Sequence, residues 1–427
     1  MSNYILNETA VVISDLHVGD PVDSRLEDFD RDEDFVHLLS EVIPQEVDWP
    51  VTLIINGDFI DFPQVLPELG KHSAGDRFGV TKDRSLLRLQ RVIDGHPLVF
   101  SALKDFIARG GQVLILPGNH DIDFHWSDVF AVFRKSLGDA PIPQLRFVKE
   151  GEIQEQGIHI EHGNQYSFDN WFEFWRNPII MAPDNCLRLE RPWGTLFMDL
   201  VYNDIEDLYP FVNKVYPHST LAWAALRSFC SDERVSARAI ARLIAFFLTK
   251  GRRFIQDRLL GEGGKEVCVD YASLGHIEAF LREIEINASE IRLIDIACET
   301  SLLLPRFERS EVDSIEEFLP GYLGQTDEWG MSNRQIELLQ SGEVTLVAFG
   351  HTHVPVDGNL VPPWGEKDPR RAFNTGSWMP QIKINDYESP YWTELYSREK
   401  VNDIKYLVID LTRTPIGRLV SLPCISD

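Results

Sequence analysis

The apolar positions of this chain fall into two registers. Short runs rich in β-branched residues recur at Ala10–Ser14, Val51–Ile55 and Val113–Leu116. They lack polar alternation, as strands buried on both faces do. Leu145–Val148 and Ile153–Ile160 read as further strands. Helical spacing appears between them: Phe35, Leu38, Leu39 and Val42 mark a helix over Asp34–Val42, Ser85–Ala108 is largely helical, and Trp126–Leu137 is another helix. Strands alternating with helices predict an α/β architecture. From Gln165 to Gly342 the pattern turns helical, most clearly over Val235–Leu260 and Ile277–Ile296. Strand-like runs then resume at Val344–Phe349 and Ala372–Phe373, and Ile404–Ile409 with Gly417–Leu422 alternate like a closing hairpin. The expected organisation is a core of residues 1–165 and 343–427 carrying a mainly helical insertion, or cap, at 166–342. Without the insertion about 250 residues remain, a comfortable size for one α/β domain.

The predicted strands end in polar clusters. Val113-Leu114-Ile115-Leu116 runs into Pro117-Gly118-Asn119-His120-Asp121. The first strand ends at Asp15-Leu16-His17, the second at Asn56-Gly57-Asp58 with Asp61 one turn on, the Ile153–Ile160 strand at Glu161-His162-Gly163, and the Val344–Phe349 strand at Gly350-His351-Thr352-His353. In an extended chain residues i and i+2 project to one side, so Asp15 with His17, and His351 with His353, can share a ligand. Loops at strand ends are where α/β proteins keep their chemistry, because a rigid sheet holds them. Asp15, His17, Asp58, Asn119, His162, His351 and His353 form a mixed nitrogen and oxygen donor set without a thiolate. Such a set suits Mn, Fe, Zn or Co better than Ca or Mg, and it is too large for one ion. Two ions sharing a carboxylate fit it, as in sites of phosphoryl chemistry.

Composition narrows the setting. With 67 acidic and 41 basic residues the net charge is -26, which opposes autonomous binding to a phosphate backbone. Bound cations would let so acidic a protein attract an anionic substrate. Cys186, Cys230, Cys268, Cys298 and Cys424 are scattered without CxxC spacing, as expected of reduced thiols in a cytoplasmic protein. Met1-Ser2-Asn3-Tyr4 shows no signal-peptide pattern, and the longest apolar run, Leu243–Leu248, is too short to span a membrane.

Asp15-Leu16-His17, Gly57-Asp58-Phe59-Ile60-Asp61, Gly118-Asn119-His120-Asp121, His162-Gly163 and Gly350-His351-Thr352-His353 resemble, in order, the motifs of the calcineurin-like metallophosphoesterases. The resemblance covers the core and not the insertion. It implies a four-layer αββα sandwich around two divalent transition metals, with Mn first and Fe, Zn or Co as alternatives. Asp15, His17, Asp58 and His353 would bind the first metal. Asp58 would bridge to the second, completed by Asn119, His162 and His351. A metal-bridged hydroxide would attack a phosphoester or pyrophosphate in line, His120 would protonate the leaving oxygen, and Asp61 would orient His120. One position departs from the family's protein phosphatases: their phosphate-gripping Arg is Phe62 here. The pattern is closer to the bacterial branch of UDP-2,3-diacylglucosamine pyrophosphohydrolases, which usually carry Arg at the position of His120, so their substrate is not carried over.

The expected activity is that of a metal-dependent phosphomonoesterase or phosphodiesterase acting on a phosphorylated small molecule or a lipid-linked substrate. The alternatives are an inactive metal-binding scaffold and a nuclease subunit. Asp121 is expected to shape its turn, His125 and His159 to be satisfied non-ligands, and Asn374-Thr375-Gly376-Ser377 to line the site or simply turn the chain. Within the insertion, Trp171-Phe172-Glu173-Phe174-Trp175 reads first as cap core. Arg242, Lys250, Arg252 and Arg253 read first as a solvated helix face, with peripheral membrane contact as the other reading.

Overall fold

The computed structural model describes residues 5–23, 25–66, 80–139, 143–167, 170–182, 185–192, 194–195, 198, 202–216, 331–360, 364–384 and 392–423. The helices expected over Val235–Leu260 and Ile277–Ile296, with the basic residues between 238 and 258, lie outside them. In chain order the first half comprises β1 (Thr9–Ile13), α1 (Asp32–His37), α2 (Ile43–Glu46), β2 (Val51–Asn56), α3 (Lys82–Gly95), α4 (Pro97–Ala108), β3 (Gln112–Leu116), α5 (Ser127–Ser136), β4 (Leu145–Phe147), β5 (Glu152–Glu155) and β6 (Ile158–Glu161). There follow β7 (Ile179–Met181), β8 (Leu187–Leu189), α6 (Asn203–Leu208), β9 (Val215–Tyr216), α7 (Asn333–Ser341), β10 (Leu346–Phe349), β11 (Arg371–Asn374), β12 (Ile382–Lys383), α8 (Trp392–Tyr396), β13 (Lys405–Asp410) and β14 (Ile416–Ser421).

Two sheets carry the structure. The larger is six-stranded in the order β14-β13-β1-β2-β3-β4, and the second is four-stranded, β11-β10-β6-β5. β1 to β4 run parallel, and the β13–β14 hairpin adds antiparallel on the β1 side. The two-residue period of a strand sorts its side chains onto two faces. Val11, Ile13, Leu53, Ile55, Val113 and Ile115 enter the core beneath the helices. Their neighbours Ala10, Val12, Ile54 and Leu114 enter a second core with Ile158, Ile160, Leu346, Ala348 and Phe373 of the other sheet. A third core joins Met331 and Leu339, at α7, to Val347, Phe349 and Ala372 on the outer face of the second sheet. The layers are therefore helix, sheet, sheet, helix. Each buried aliphatic side chain contributes about 1.5–3 kcal/mol, which makes the paired sheets a stiff support for their loops.

Three local expectations are revised. Residues 153–160 form a hairpin of β5 and β6 instead of one strand: Gln156 and Gly157 turn the chain at φ 50° and 80°, the left-handed pair a tight two-residue turn demands. Ser85–Ala108 is two helices, broken where His96 leaves helical geometry and Pro97 restarts it at the first position of α4, where a missing N–H costs nothing. The aromatic run at 171–175 divides: Phe172 is buried and Trp175 packs 5.7 Å from it, whereas Trp171 and Phe174 are exposed.

Candidate metal centre

The polar clusters meet where the two sheets face each other. The loops after β1, β2 and β3 approach from one sheet and those after β6 and β10 from the other, all at C-terminal strand ends. Asp15, His17, Asp58 and His353 each present a ligand atom, and these atoms lie within 4.8 Å of one another. Asp58, His162 and His351 form a second such group, so Asp58 belongs to both. Asn119 is buried beside them with its Oδ1 unpartnered, while its Nδ2 donates to Asn170 Oδ1 at 3.4 Å.

The backbone that delivers these side chains is left-handed, not extended. Asp15, His17, Asp58, His351 and His353 have φ of 55°, 56°, 50°, 65° and 58°. Such conformations cost about 1–2 kcal/mol for a residue with a Cβ and persist where the surroundings enforce them. Here the enforcement is visible. Asp15 N donates to Gly57 O and His17 N to Asp58 O, at 3.2 and 2.9 Å. Ser377 Oγ and Trp378 N both donate to Asp15 O at 3.0 Å, Ser14 Oγ lies 2.7 Å from Thr375 Oγ1, and Asn374 Nδ2 donates to Gly350 O at 3.0 Å. The 374–378 turn thus holds two of the candidate loops in place. Close approach also decides two glycines: a Cβ on Gly118 would meet Asp58 Oδ1 at 2.1 Å, and one on Gly350 would meet Asp15 Oδ2 at 2.6 Å.

The electrostatics of the cluster call for added positive charge. Burial opposes a charge on His162, yet the Asp58 and Asp15 carboxylates outweigh it and hold its pKa near 10. Burial and the charge of His162 push His351 the other way, to about 3. His162 Nδ1 donates to Asn56 O at 2.8 Å, leaving its Nε2 turned toward Asp58 Oδ2 at 3.1 Å with no hydrogen-bond partner. His17 Nε2 and His353 Nε2 face each other at 3.1 Å. Ring nitrogens and carboxylate oxygens converging on a buried centre, with outer hydrogen bonds fixing the ring orientations, are the arrangement a divalent cation can satisfy by displacing the ring protons.

Asp61 joins two rings. His120 Nδ1 donates to its Oδ1 at 2.8 Å and His17 Nδ1 to its Oδ2 at 3.0 Å. Burial alone would raise the Asp61 pKa, but His120 and His17 hold it well below the carboxylate range. Burial works against a charge on His120, and Asp61 with Asp58 reverses this to a pKa of about 9. His120 and His353 are 16% and 18% exposed against at most 2% for His17 and Asp58, so the centre opens on their side. Asp121 accepts from Gly118 N at 2.6 Å and Phe59 N at 2.9 Å, and burial with the nearby Asp58 raises it to about 7. Phe62 is buried against the Phe124 ring at 5.6 Å and cannot reach the opening.

His125 lies in a buried apolar setting with Nδ1 on Ile122 O at 3.1 Å, and burial lowers its pKa to about 4. His159 is buried 3.0 Å from Glu161 Oε1, in a group with Glu152 on the outer face of the second sheet. Sequence reasoning also missed a clamp from residues 203–214. Asn203 Nδ2 donates to Pro63 O at 3.0 Å, Asn213 Nδ2 to Gln64 Oε1 at 3.3 Å, and Gln64 Nε2 to the buried Glu206. Lys214 pairs with Asp28 at 2.9 Å. These residues brace the turn that follows Asp61, and no local pattern at 203–214 advertises it.

No curated protein matches the chain. The model of the calcineurin-like phosphoesterase family matches residues 9–237, which include the loops after β1, β2, β3 and β6. The chain belongs to the calcineurin-like phosphoesterase family, and metal-dependent hydrolysis of phosphoesters is that family's chemistry.

Proposed function

We propose that the chain is a dinuclear-metal phosphohydrolase in which Asp15, His17, Asp58 and His353 hold one ion and Asp58, Asn119, His162 and His351 the other. The observation that carries this is the pair of ligand groups sharing Asp58 at the junction of two sheets. When bound, two divalent transition metals, with Mn the first to try, supply Lewis-acid activation of water and neutralise phosphoryl charge. The remaining work belongs to side chains. As the water oxygen bonds to phosphorus and the bond to the leaving oxygen breaks, His120 gives its proton to that oxygen. Asp61, bound to His120 Nδ1, favours the protonated ring and points its other nitrogen outward. An inactive scaffold would have no use for this dyad on the open side of the centre. The acidic surface speaks against a nuclease.

Elemental analysis of the purified chain, with turnover of p-nitrophenyl phosphate and bis-p-nitrophenyl phosphate, tests the reading. The expected result is near two transition metals per chain and metal-dependent hydrolysis of at least one ester. Asp58→Asn should lose metal from both positions because the bridge is shared. Two metals retained in that variant would reject the bridge, and no metal uptake by the wild type would reject the reading.

A further inference from the structure

With Phe62 in the core, the cation that would grip an anionic substrate must come from elsewhere. The exposed edge of His353 borders a shallow, solvent-open depression whose wall includes Ser377, Met379, Gln381, Lys383, Val401 and Asp403.

Lys383 is an exposed residue on the strand that borders this depression. Gln381 and Lys383 are two apart and project from one face. Gln381 Nε2 donates to His353 O at 3.0 Å, which turns that face toward His353. Gln381 and Val401 exchange backbone hydrogen bonds at 3.0 and 2.7 Å, and Lys383 pairs with Tyr216 of β9.

Accounting for the polar groups leaves Lys383 unused. Ser377 Oγ donates to Asp15 O at 3.0 Å and accepts from Met379 N at 3.1 Å. The Gln381 amide nitrogen is spent on His353. Asp403, the one carboxylate in the wall, accepts from Lys405 Nζ at 2.8 Å. The Lys383 ammonium has no anionic partner among the described residues, in a protein whose net charge is -26. A cation without an anionic partner among the described residues, beside the proposed phosphoryl centre, would select a second negative charge on the same substrate.

We propose that Lys383 binds an anionic group, phosphate or carboxylate, carried by the substrate beyond its scissile phosphoryl group. The substrate class is then a phosphodiester, phosphoanhydride or phosphate ester bearing a further anion, in preference to an ester of a neutral alcohol. The inference rests on the phosphohydrolase reading above.

Titration calorimetry of the metal-loaded full chain at physiological salt, where surface charge beyond about 8 Å is screened, provides the test. The probes are propylphosphonate, 3-phosphonopropionate and propane-1,3-diphosphonate, which share one phosphonate and differ at the far end. The wild type should bind at least one of the two doubly anionic probes about tenfold more tightly than propylphosphonate, as a charge-assisted contact provides. Lys383→Gln should erase that ratio and Lys383→Arg should keep it. Preference for the diphosphonate alone identifies the far group as phosphate, and equal preference admits a carboxylate. A ratio that survives Lys383→Gln, a wild type without preference, or equal weakening of all three probes would overturn the proposal. The last of these would place Lys383 on the scissile group instead. If the metal-loaded chain hydrolyses neither p-nitrophenyl ester nor a phosphate ester bearing a second anion, but the ratio behaves as expected, the anion subsite stands and the phosphohydrolase reading falls.

Discussion

At the scale of single residues, Asp61 is the group whose role the geometry enlarges. It takes one hydrogen bond from His120 and another from His17, so it both supports the proposed general acid and orients the His17 ring. His120→Asn should keep both metals and lose at least about 100-fold in kcat, the scale of a positioned proton donor. Metal lost in parallel with turnover would make His120 a ligand. Asp61→Asn removes the carboxylate that most favours the charged form of His120. Protonation then becomes harder, so the alkaline limb of the pH–kcat profile should move to lower pH. A limb that does not move would separate Asp61 from the acid. His120 and its neighbours were legible in sequence because they sit directly after apolar runs. The second bond of Asp61 was not, because nothing local pairs positions 17 and 61.

At the scale of elements, the loop following β1 is tied to the start of α4 by a buried polar knot. His96 Nδ1 donates to Asp32 Oδ2 at 2.9 Å and its Nε2 lies 3.4 Å from Glu27 Oε2, while Glu27 Oε1 accepts from Phe29 N at 2.7 Å. Burial works against a charge on His96, but Asp32 and Glu27 overcome it and raise the pKa from 6.5 to about 9. The folded state therefore holds this proton more tightly than the unfolded chain. Its contribution, at most about 3 kcal/mol, is complete below pH 6.5 and lost as pH rises through 9. Thermal melts from pH 6 to 10 should fall across that window in the wild type and fall less in His96→Gln. Parallel curves would remove His96 from the balance. The break between α3 and α4 at this histidine, like the β5–β6 turn, is a few-residue event inside a longer periodic pattern. Periodicity averages over such breaks, although Pro97 and Gly157 were there to mark them.

At the scale of the molecule, four buried carboxylates, Asp15, Asp58, Asp61 and Asp121, gather at one centre of a chain already 26 charges negative. Cations bound there relieve repulsion in the folded state alone, since the unfolded chain does not assemble the groups. Removing metal with a chelator should lower the melting temperature, and restoring it should raise stability by about 2.7 kcal/mol per site at a hundredfold excess over Kd. Identical melting curves with and without metal would contradict the centre as drawn. The −26 charge also gives Lys383 its meaning, because a cation without an anionic partner among the described residues is conspicuous against an acidic background.

Read alone, the sequence reaches the α/β class, the order of the main core strands and the identity of the polar residues at their ends. Those are short-range facts: a strand buried on both faces must be apolar, and the loop that leaves it is free to be polar. Tertiary structure decides how the residues meet. Ser14 finds Thr375, Asp15 finds His351 and Gln64 finds Glu206 across separations of 361, 336 and 142 residues. The left-handed backbone at Asp15, His17 and His351 is held by bonds from residues distant in the chain. The clamp on the Asp61 turn arises the same way, because neighbours brought by folding determine which groups are spent and which are left to bind.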